Sequence, residues 1–391
     1  MPFPTWLPIL LGFLTAVGPI STDMYLPAFP AIDAEVAGVT GAAQITLATW
    51  FLGLAVGQMT QGTLSDRYGR RWPLMAGTAV YALASAGCAL SPNLAVLAIC
   101  RFFAGVGGSA GMVIPRAVVR DLADGHAAAR LLSRLMLVMG AAPILAPTMG
   151  SLVLSVADWR TIFWIGAVFG ALCCVLVLIL LPDTLPPNRR LKLGVAAQLT
   201  RWGGIIVERG FITNVLLGGF SMFGMFAFLG GSPSVFIEHF HLAPSFYGAI
   251  FGCSACGLIV ASQLNPILLG RFGPNRMLHA STRTMLTACI VLTVVAFSGS
   301  GSWIAVAAPI AVAMSCQGFT GPNATVAALS RHGATAGSAS ALMGTIQFVL
   351  GAVSGVLVGE LADGTARPMA LLMLFGAVGA AICDLCRPKP K

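Results

Sequence analysis

This chain has little charge. Only 9% of its 391 residues are Asp, Glu, Lys or Arg, while 57% are hydrophobic. A soluble domain carries about a quarter charged residues, so an ordinary water-soluble fold is excluded. Acids are scarcest, 13 against 22 basic residues. Polar interruptions are also missing over stretches of roughly 20 residues, the length that crosses a bilayer. Lipid accepts apolar side chains on every side of a helix. No HExxH sequence occurs, and no Ser/His or paired-Asp arrangement falls inside an apolar run. An enzyme is therefore not expected. The ten cysteines lie mostly within apolar runs. Cys253 and Cys256 form a CxxC without His or carboxylate neighbours, which reads as small buried thiols rather than a metal or redox site. No metal and no cofactor is expected.

What is present is a series of apolar runs. They predict twelve membrane-spanning helices near 7–30, 43–64, 73–91, 94–116, 133–155, 161–182, 210–232, 245–269, 277–298, 302–327, 335–359 and 367–386. The first keeps Asp23 and several prolines and has no small-residue cleavage site after it, so it reads as a span rather than a removed leader. The basic residues then set the orientation. With the N-terminus inside, the cytoplasmic breaks and tail hold 19 of the 22: Arg67, Arg70, Arg71, Arg116, Arg120, Arg130, Arg134, Arg189, Arg190, Lys192, Arg201, Arg209, Arg271, Arg276, Arg283, Arg331, Arg387, Lys389 and Lys391. The opposite loops hold Arg160 and Arg367. This asymmetry places both termini in the cytoplasm. The net charge of +9 is thus topology, and no nucleic-acid partner is expected.

The longest polar stretch, about 183–209, divides the runs into six and six. Arg67-Tyr68-Gly69 is echoed by Arg271-Phe272-Gly273, and Met139-Gly140 by Met343-Gly344, both at an offset of 204. A duplication follows: an N-terminal six-helix bundle (1–183), a cytoplasmic linker (184–209) and a C-terminal six-helix bundle (210–391). The expected fold is an all-α membrane protein of two six-helix pseudo-symmetric bundles, of the kind that transporters build from parallel repeats.

Between spans 2 and 3 lies Gly62-Thr63-Leu64-Ser65-Asp66-Arg67-Tyr68-Gly69-Arg70-Arg71. Its glycines permit a tight turn and close helix approach. Asp66 suits a helix N-terminus, and Arg70 and Arg71 can reach acids at neighbouring helix ends, with Asp121 the expected partner. Span 5 carries Gly140-Ala141-Ala142-Pro143-Ile144-Leu145-Ala146-Pro147-Thr148-Met149-Gly150. Small residues there allow close packing, and proline bends the helix. The loop between spans 2 and 3 resembles the signature of the major facilitator superfamily. The span 5 sequence resembles the Gly/Pro motif of its exporters, with Ala146 and Thr148 where many have Gly. Ser21-Thr22-Asp23-Met24-Tyr25-Leu26-Pro27, Asp158-Trp159-Arg160-Thr161-Ile162-Phe163-Trp164, Pro182-Asp183-Thr184-Leu185-Pro186-Pro187 and Gly224-Met225-Phe226-Ala227-Phe228-Leu229 resemble the Bcr/CflA drug-resistance exporters, bicyclomycin type. The resemblance implies a conformational latch at Gly62, Asp66, Gly69, Arg70, Arg71 and Asp121. It also implies an antiporter helix at Gly140, Pro143, Pro147 and Gly150.

Asp23 is the one acid well inside a span, and Arg101 the one base. An intramembrane charge costs about 2.5–3.5 kcal/mol on insertion scales and is a functional hypothesis by default. Asp23 lies seven residues from the outer end of span 1 and Arg101 seven from the outer start of span 4. Both are therefore roughly 10 Å below the outer boundary. The second half has Ala227 and Ala305 at the equivalent places. Burial disfavours the charged carboxylate while a guanidinium favours it, so this pair can answer to cavity hydration. The resemblance gives both residues proton-coupling roles. Substrate-binding candidates lie on spans 1, 2, 5, 7, 10 and 11, which line the cavity in the resembled fold: Tyr25, Gln44, Trp50, Met136, Met225, Phe228, Gln317, Asn323 and Gln347. The function so implied is proton-coupled efflux of small antimicrobial drugs, bicyclomycin- or chloramphenicol-like, across a bacterial inner membrane. The alternative is export of an endogenous metabolite such as an amino acid. The expected partners are drug-sized molecules, protons and the lipid bilayer, with the chain acting as a monomer and the proton gradient as its energy source.

Overall fold

A computed structural model describes residues 6–37, 41–122, 142, 145–190, 195–299, 302–332 and 336–388. Among them the regular elements are all helical. Ten helical spans are long and apolar enough to cross a membrane. The first, Leu7–Val36, is a broken series: α1 (Leu7–Thr15), α2 (Val17–Thr22) and α3 (Phe29–Ile32), followed by a π-helical turn at Asp33–Ala37. Next come α4 (Ala42–Tyr68), α5 (Arg71–Ala89), α6 (Leu94–Leu122), α7 (Leu145–Leu154), α8 (Arg160–Leu180) and the short α9 (Val195–Ile206). Then follow α10 (Arg209–Pro233), α11 (Pro244–Phe272), α12 (Pro274–Phe297), α13 (Trp303–Leu329), α14 (Ala336–Glu360) and α15 (Arg367–Cys386). At the third predicted position, α5 is long enough to span but less apolar than the ten, because it turns Thr78, Tyr81 and Ser85 into the protein. At the fifth, α7 is the described part of the predicted span.

By contact the chain forms two compact units. One comprises residues 1–28 and 49–194, the other residues 29–48 and 195–391. In the first, α5 packs along both α6 and α8. Helices α4 and α6 approach so closely that a Cβ on Gly53 would lie 2.1 Å from the Phe102 carbonyl oxygen, and one on Gly105 would lie 2.3 Å from that of Trp50. Glycine is required wherever backbones meet at that distance. In the second unit, α10 packs on α13, α14 and α15, α12 joins α13 and α15, and α11 lies along α13. Large apolar side chains such as Leu83, Ile179, Ile267 and Leu385 are exposed, as lipid contact allows and water does not. The expectation that Cys253 and Cys256 are buried is corrected here. Both are exposed, on the outward stripe of α11 that also carries Val260, Leu264 and Ile267. A thiol is apolar enough for that face.

Candidate functional site

The first span breaks where its acid sits. Pro27 and Pro30 cannot donate the backbone N–H that would continue a helix past Asp23. Regular helix stops at Thr22, and the Asp23 and Met24 amides both turn back to the Pro19 carbonyl. The Ser21 carbonyl is released from the helical ladder by this break. Arg101 fills it: Nη1 donates to that oxygen at 3.0 Å. Discontinuous helices of this kind are where transporters place their sites.

Arg101 is 2% exposed and Asp23 6%. Among the described residues no ion pair joins them. The Asp23 carboxylate instead accepts from Thr22 Oγ1 at 2.9 Å. The Arg101 guanidinium is caged by three aromatic rings, its carbon 4.6 Å from the centroid of Tyr25, 4.9 Å from Trp50 and 5.7 Å from Phe163. Such faces stabilise a cation, by up to ~2 kcal/mol each where desolvated. They leave Nε and Nη2 without a hydrogen-bond partner. The arginine is thus two residues from the acid along the first span, held and not paired. Tyr25 and Trp50, proposed from sequence as substrate contacts, are fully buried as walls of this cage. Close by, a Cβ on Gly150 of α7 would lie 2.0 Å from the Met24 carbonyl oxygen. The exporter-like helix therefore rests on the residue after Asp23. Met136, Gly140 and Pro143 lie outside the described residues. Pro147 is in α7, its carbonyl accepting from Ser151 Oγ at 2.9 Å.

The loop between α4 and α5 forms a second polar cluster. Arg70 is 5% exposed. Its Nη1 donates to Asp66 Oδ1 at 2.5 Å and to Ser65 Oγ at 2.9 Å, and its Nε donates to Asp121 Oδ2 at 2.7 Å. Burial works against the charged form, but the bonds with Asp121 and Asp66 and their charges outweigh it and raise the guanidinium above its ordinary value. Arg71 turns the other way, onto the Leu178 carbonyl at 2.5 Å. Gly62 packs near Val113. One member was missed in the sequence. Asp183 accepts from the Arg70 backbone N–H at 2.8 Å and from Arg190 Nη2 at 2.6 Å, while Thr184 Oγ1 donates to Asp121 at 3.2 Å. Pro182-Asp183-Thr184 stands out in the sequence only as a resemblance, and nothing in its spacing from Gly69 announces the contact. Gly69 has φ +93°, and a Cβ there would lie 1.9 Å from Asp183 Oδ2.

The remaining substrate candidates are spread through the second unit. The Gln44 side-chain amide reaches Ser234 Oγ at 3.4 Å and leaves Oε1 unpartnered. Phe228 stacks on Phe251, with centroids 5.5 Å apart. The Asn323 and Asn265 side chains bond each other reciprocally, at 2.9 and 3.3 Å. Gln317 is buried with Oε1 unpartnered, while Met225 and Gln347 are half-buried.

Comparison with known proteins bears on this geometry. The family model described as Major Facilitator Superfamily matches residues 11–356. The chain is 34% identical over 379 residues to the "Uncharacterized MFS-type transporter YdgK" of Bacillus subtilis (strain 168), covering 95% of this chain and 92% of that one. It is 28% identical over 375 residues to the "Bicyclomycin resistance protein homolog" of Haemophilus influenzae, covering 93% and 92%. Among solved structures, a D-xylose-proton symporter superposes with a TM-score of 0.74 at 15% identity, covering 97% of this chain and 96% of that one. That last likeness concerns the fold alone.

Proposed function

The chain belongs to the major facilitator superfamily of membrane transporters, and from that premise we propose that it exports small antimicrobial molecules from a bacterial cell in exchange for protons. The observation that carries this reading is the buried Asp23–Arg101 locus at the break in the first span. A relative named for bicyclomycin resistance supports the drug class and a place in the Bcr/CflA group. In this reading the two six-helix halves alternate the site's access, both termini are cytoplasmic, and the Arg70 cluster is the latch of the outward-open state.

The coupling step needs one acid and one base that are not permanently paired. With Asp23 protonated from outside, Arg101 rests on the Ser21 carbonyl within its aromatic cage. The neutral carboxyl permits the inward-facing state. Substrate arriving from the cytoplasm displaces the proton, and the exposed carboxylate then has Arg101 within reach as its counter-charge. That ionised state favours return to outward-facing, and substrate leaves. Proton influx is thereby exchanged for drug efflux.

The test is chloramphenicol or bicyclomycin transport into inverted proteoliposomes driven by an imposed pH gradient. Asp23→Asn should abolish gradient-driven accumulation while leaving substrate exchange at equilibrium. Full gradient-driven transport by Asp23→Asn would refute the coupling role. An absence of transport of every drug by the unmodified protein, with an amino acid moved instead, would refute the drug assignment.

A further inference from the structure

Beside Arg101 lies a small cavity with room for about one water, its polar wall formed by Ser21, Tyr81, Ser85 and Arg101 and the rest by Cys88 and apolar side chains such as Ile162 and Phe163. Tyr81 sits in the middle of α5 and is 1% exposed. Its hydroxyl lies 2.7 Å from Ser21 Oγ, and Ser85, one turn along α5, lines the same cavity. Gly166 of α8 keeps the space open, since a Cβ there would stand 3.1 Å from Tyr81 Oη and 3.6 Å from Ser85 Oγ.

The aromatic cage satisfies Arg101 only in part. Ring faces attract the cation's charge but accept no strong hydrogen bond, whereas guanidinium N–H groups point within their plane and need acceptors there. One N–H has the Ser21 carbonyl; Nε and Nη2 have nothing. A cation's N–H left unmet in a buried site is costly, and a water-sized cavity with hydroxyls in its wall at the same place is the physical answer to that cost. A water there can accept from Arg101 and donate to the hydroxyl oxygens of Ser21, Tyr81 or Ser85.

We propose that this cavity holds a bound water and that Tyr81 is a positioning residue for the coupling locus, tying that water and Ser21 to Arg101. The proposal rests on the reading of Asp23 and Arg101 given above. Ser21 is held at both of its oxygens, the carbonyl by Arg101 and the hydroxyl by Tyr81. Tyr81 and the water thereby set how well Arg101 is accommodated when it is not on Asp23. Without them, Arg101 loses acceptors and its balance shifts toward the ionised carboxylate. The titratable groups facing Arg101 are Tyr25 on the first span and Tyr81 and Cys88 on α5; Cys173 of α8 also faces Tyr81. The Asp23 carboxylate itself is met by Thr22.

Two measurements on the full-length protein in detergent micelles test this. Brief radiolytic hydroxyl-radical labelling modifies buried side chains that touch bound water. Tyr81 and Cys88 should be labelled in the unmodified protein. Cys88 labelling should fall severalfold in Tyr81→Phe, and labelling of both residues should fall in Gly166→Ala, whose methyl fills the space without removing the hydroxyl. Proton release on adding chloramphenicol is then followed against pH. Tyr81→Phe and Gly166→Ala should still release protons, with the profile displaced acidward by ~0.5 unit. Unlabelled Tyr81 and Cys88 in the unmodified protein, or superimposable pH profiles, would overturn the proposal. If the unmodified protein releases no protons, the antiport reading fails. The labelling then decides between a Tyr81-dependent water and a dry cavity on its own.

Discussion

Gly69→Ala is the sharpest test of the polar cluster at the loop between α4 and α5. Gly69 has φ +93°, a region that costs a side-chain-bearing residue of order 1–3 kcal/mol. The new Cβ would also stand 1.9 Å from Asp183 Oδ2, so Asp183 must withdraw. Withdrawal forfeits its bond from the Arg70 N–H at 2.8 Å and its pair with Arg190 at 2.6 Å. A hydrogen bond to a charged group is worth about 1.5–3 kcal/mol, and a partly exposed ion pair adds at most about 1. The single substitution should therefore cost roughly 3–6 kcal/mol. Asp183→Ala alone should cost roughly 2–3 kcal/mol. The double substitution should cost no more than Gly69→Ala, because the Asp183 contacts can be lost only once. Equilibrium unfolding of the four proteins in mixed micelles completes the cycle. The summed single costs should exceed the double by roughly 2–3 kcal/mol, whereas additivity within about 0.5 kcal/mol would show that the two residues do not meet and refute the reasoning.

Arg101→Lys keeps the charge but loses the guanidinium that Tyr25, Trp50 and Phe163 surround. Roughly 1–2 kcal/mol of ring contact is at stake, so gradient-driven transport should fall about tenfold in proteoliposomes. Gly150→Val should push α7 off the Met24 carbonyl and impair gradient-driven transport more than substrate binding, as measured by uptake against equilibrium binding. Asn323→Ala should cost about 1–3 kcal/mol by orphaning Asn265, and Asn265→Ala/Asn323→Ala less than the sum of the singles, read by the same unfolding assay. For Arg70 the folded-state value is raised, so its contribution is complete below the unfolded value and is lost only as pH rises through the still higher folded one. The stability difference between the unmodified protein and Arg70→Gln should therefore stay flat from about pH 6 to 10. A decline on the alkaline side would contradict it.

The sequence carried the fold because the signals for it are repeated many times over. Runs such as 161–182 and 367–386 have few other readings, and α8 and α15 fall on them. Legibility ends where a contact depends on tertiary approach. The depth of Asp23 and Arg101 could be counted along their spans, and Arg101 does reach Ser21, two residues from Asp23. That its charge would be met by three rings and a carbonyl rather than by the acid could not be counted. It follows from the helix break that frees the Ser21 carbonyl. Asp183, Tyr81 and Gly166 were invisible for a related reason. Each matters through one distant partner, and a lone Asp, Tyr or Gly has no periodicity that points to it. Exposure on α11 is not legible because an apolar run does not say which of its faces meets lipid and which meets protein.

The two units solve one electrostatic problem with different residues. The offset of 204 takes Asp66, Arg70, Asp121 and Asp183 to Gly270, Pro274, Thr325 and Arg387, so none of the Arg70 cluster is copied. The second unit instead buries Asp384 at the end of α15. Arg387 holds it at 2.6 Å and in turn donates to Asn275 at 3.2 Å, while His279 of α12 also meets the carboxylate. The sign is reversed: a buried cation among carboxylates in one unit, a buried anion among bases in the other. Repeated backbone therefore does not dictate the cluster. What recurs is the need to neutralise a charge taken out of water, and either sign meets it if every partner is in place.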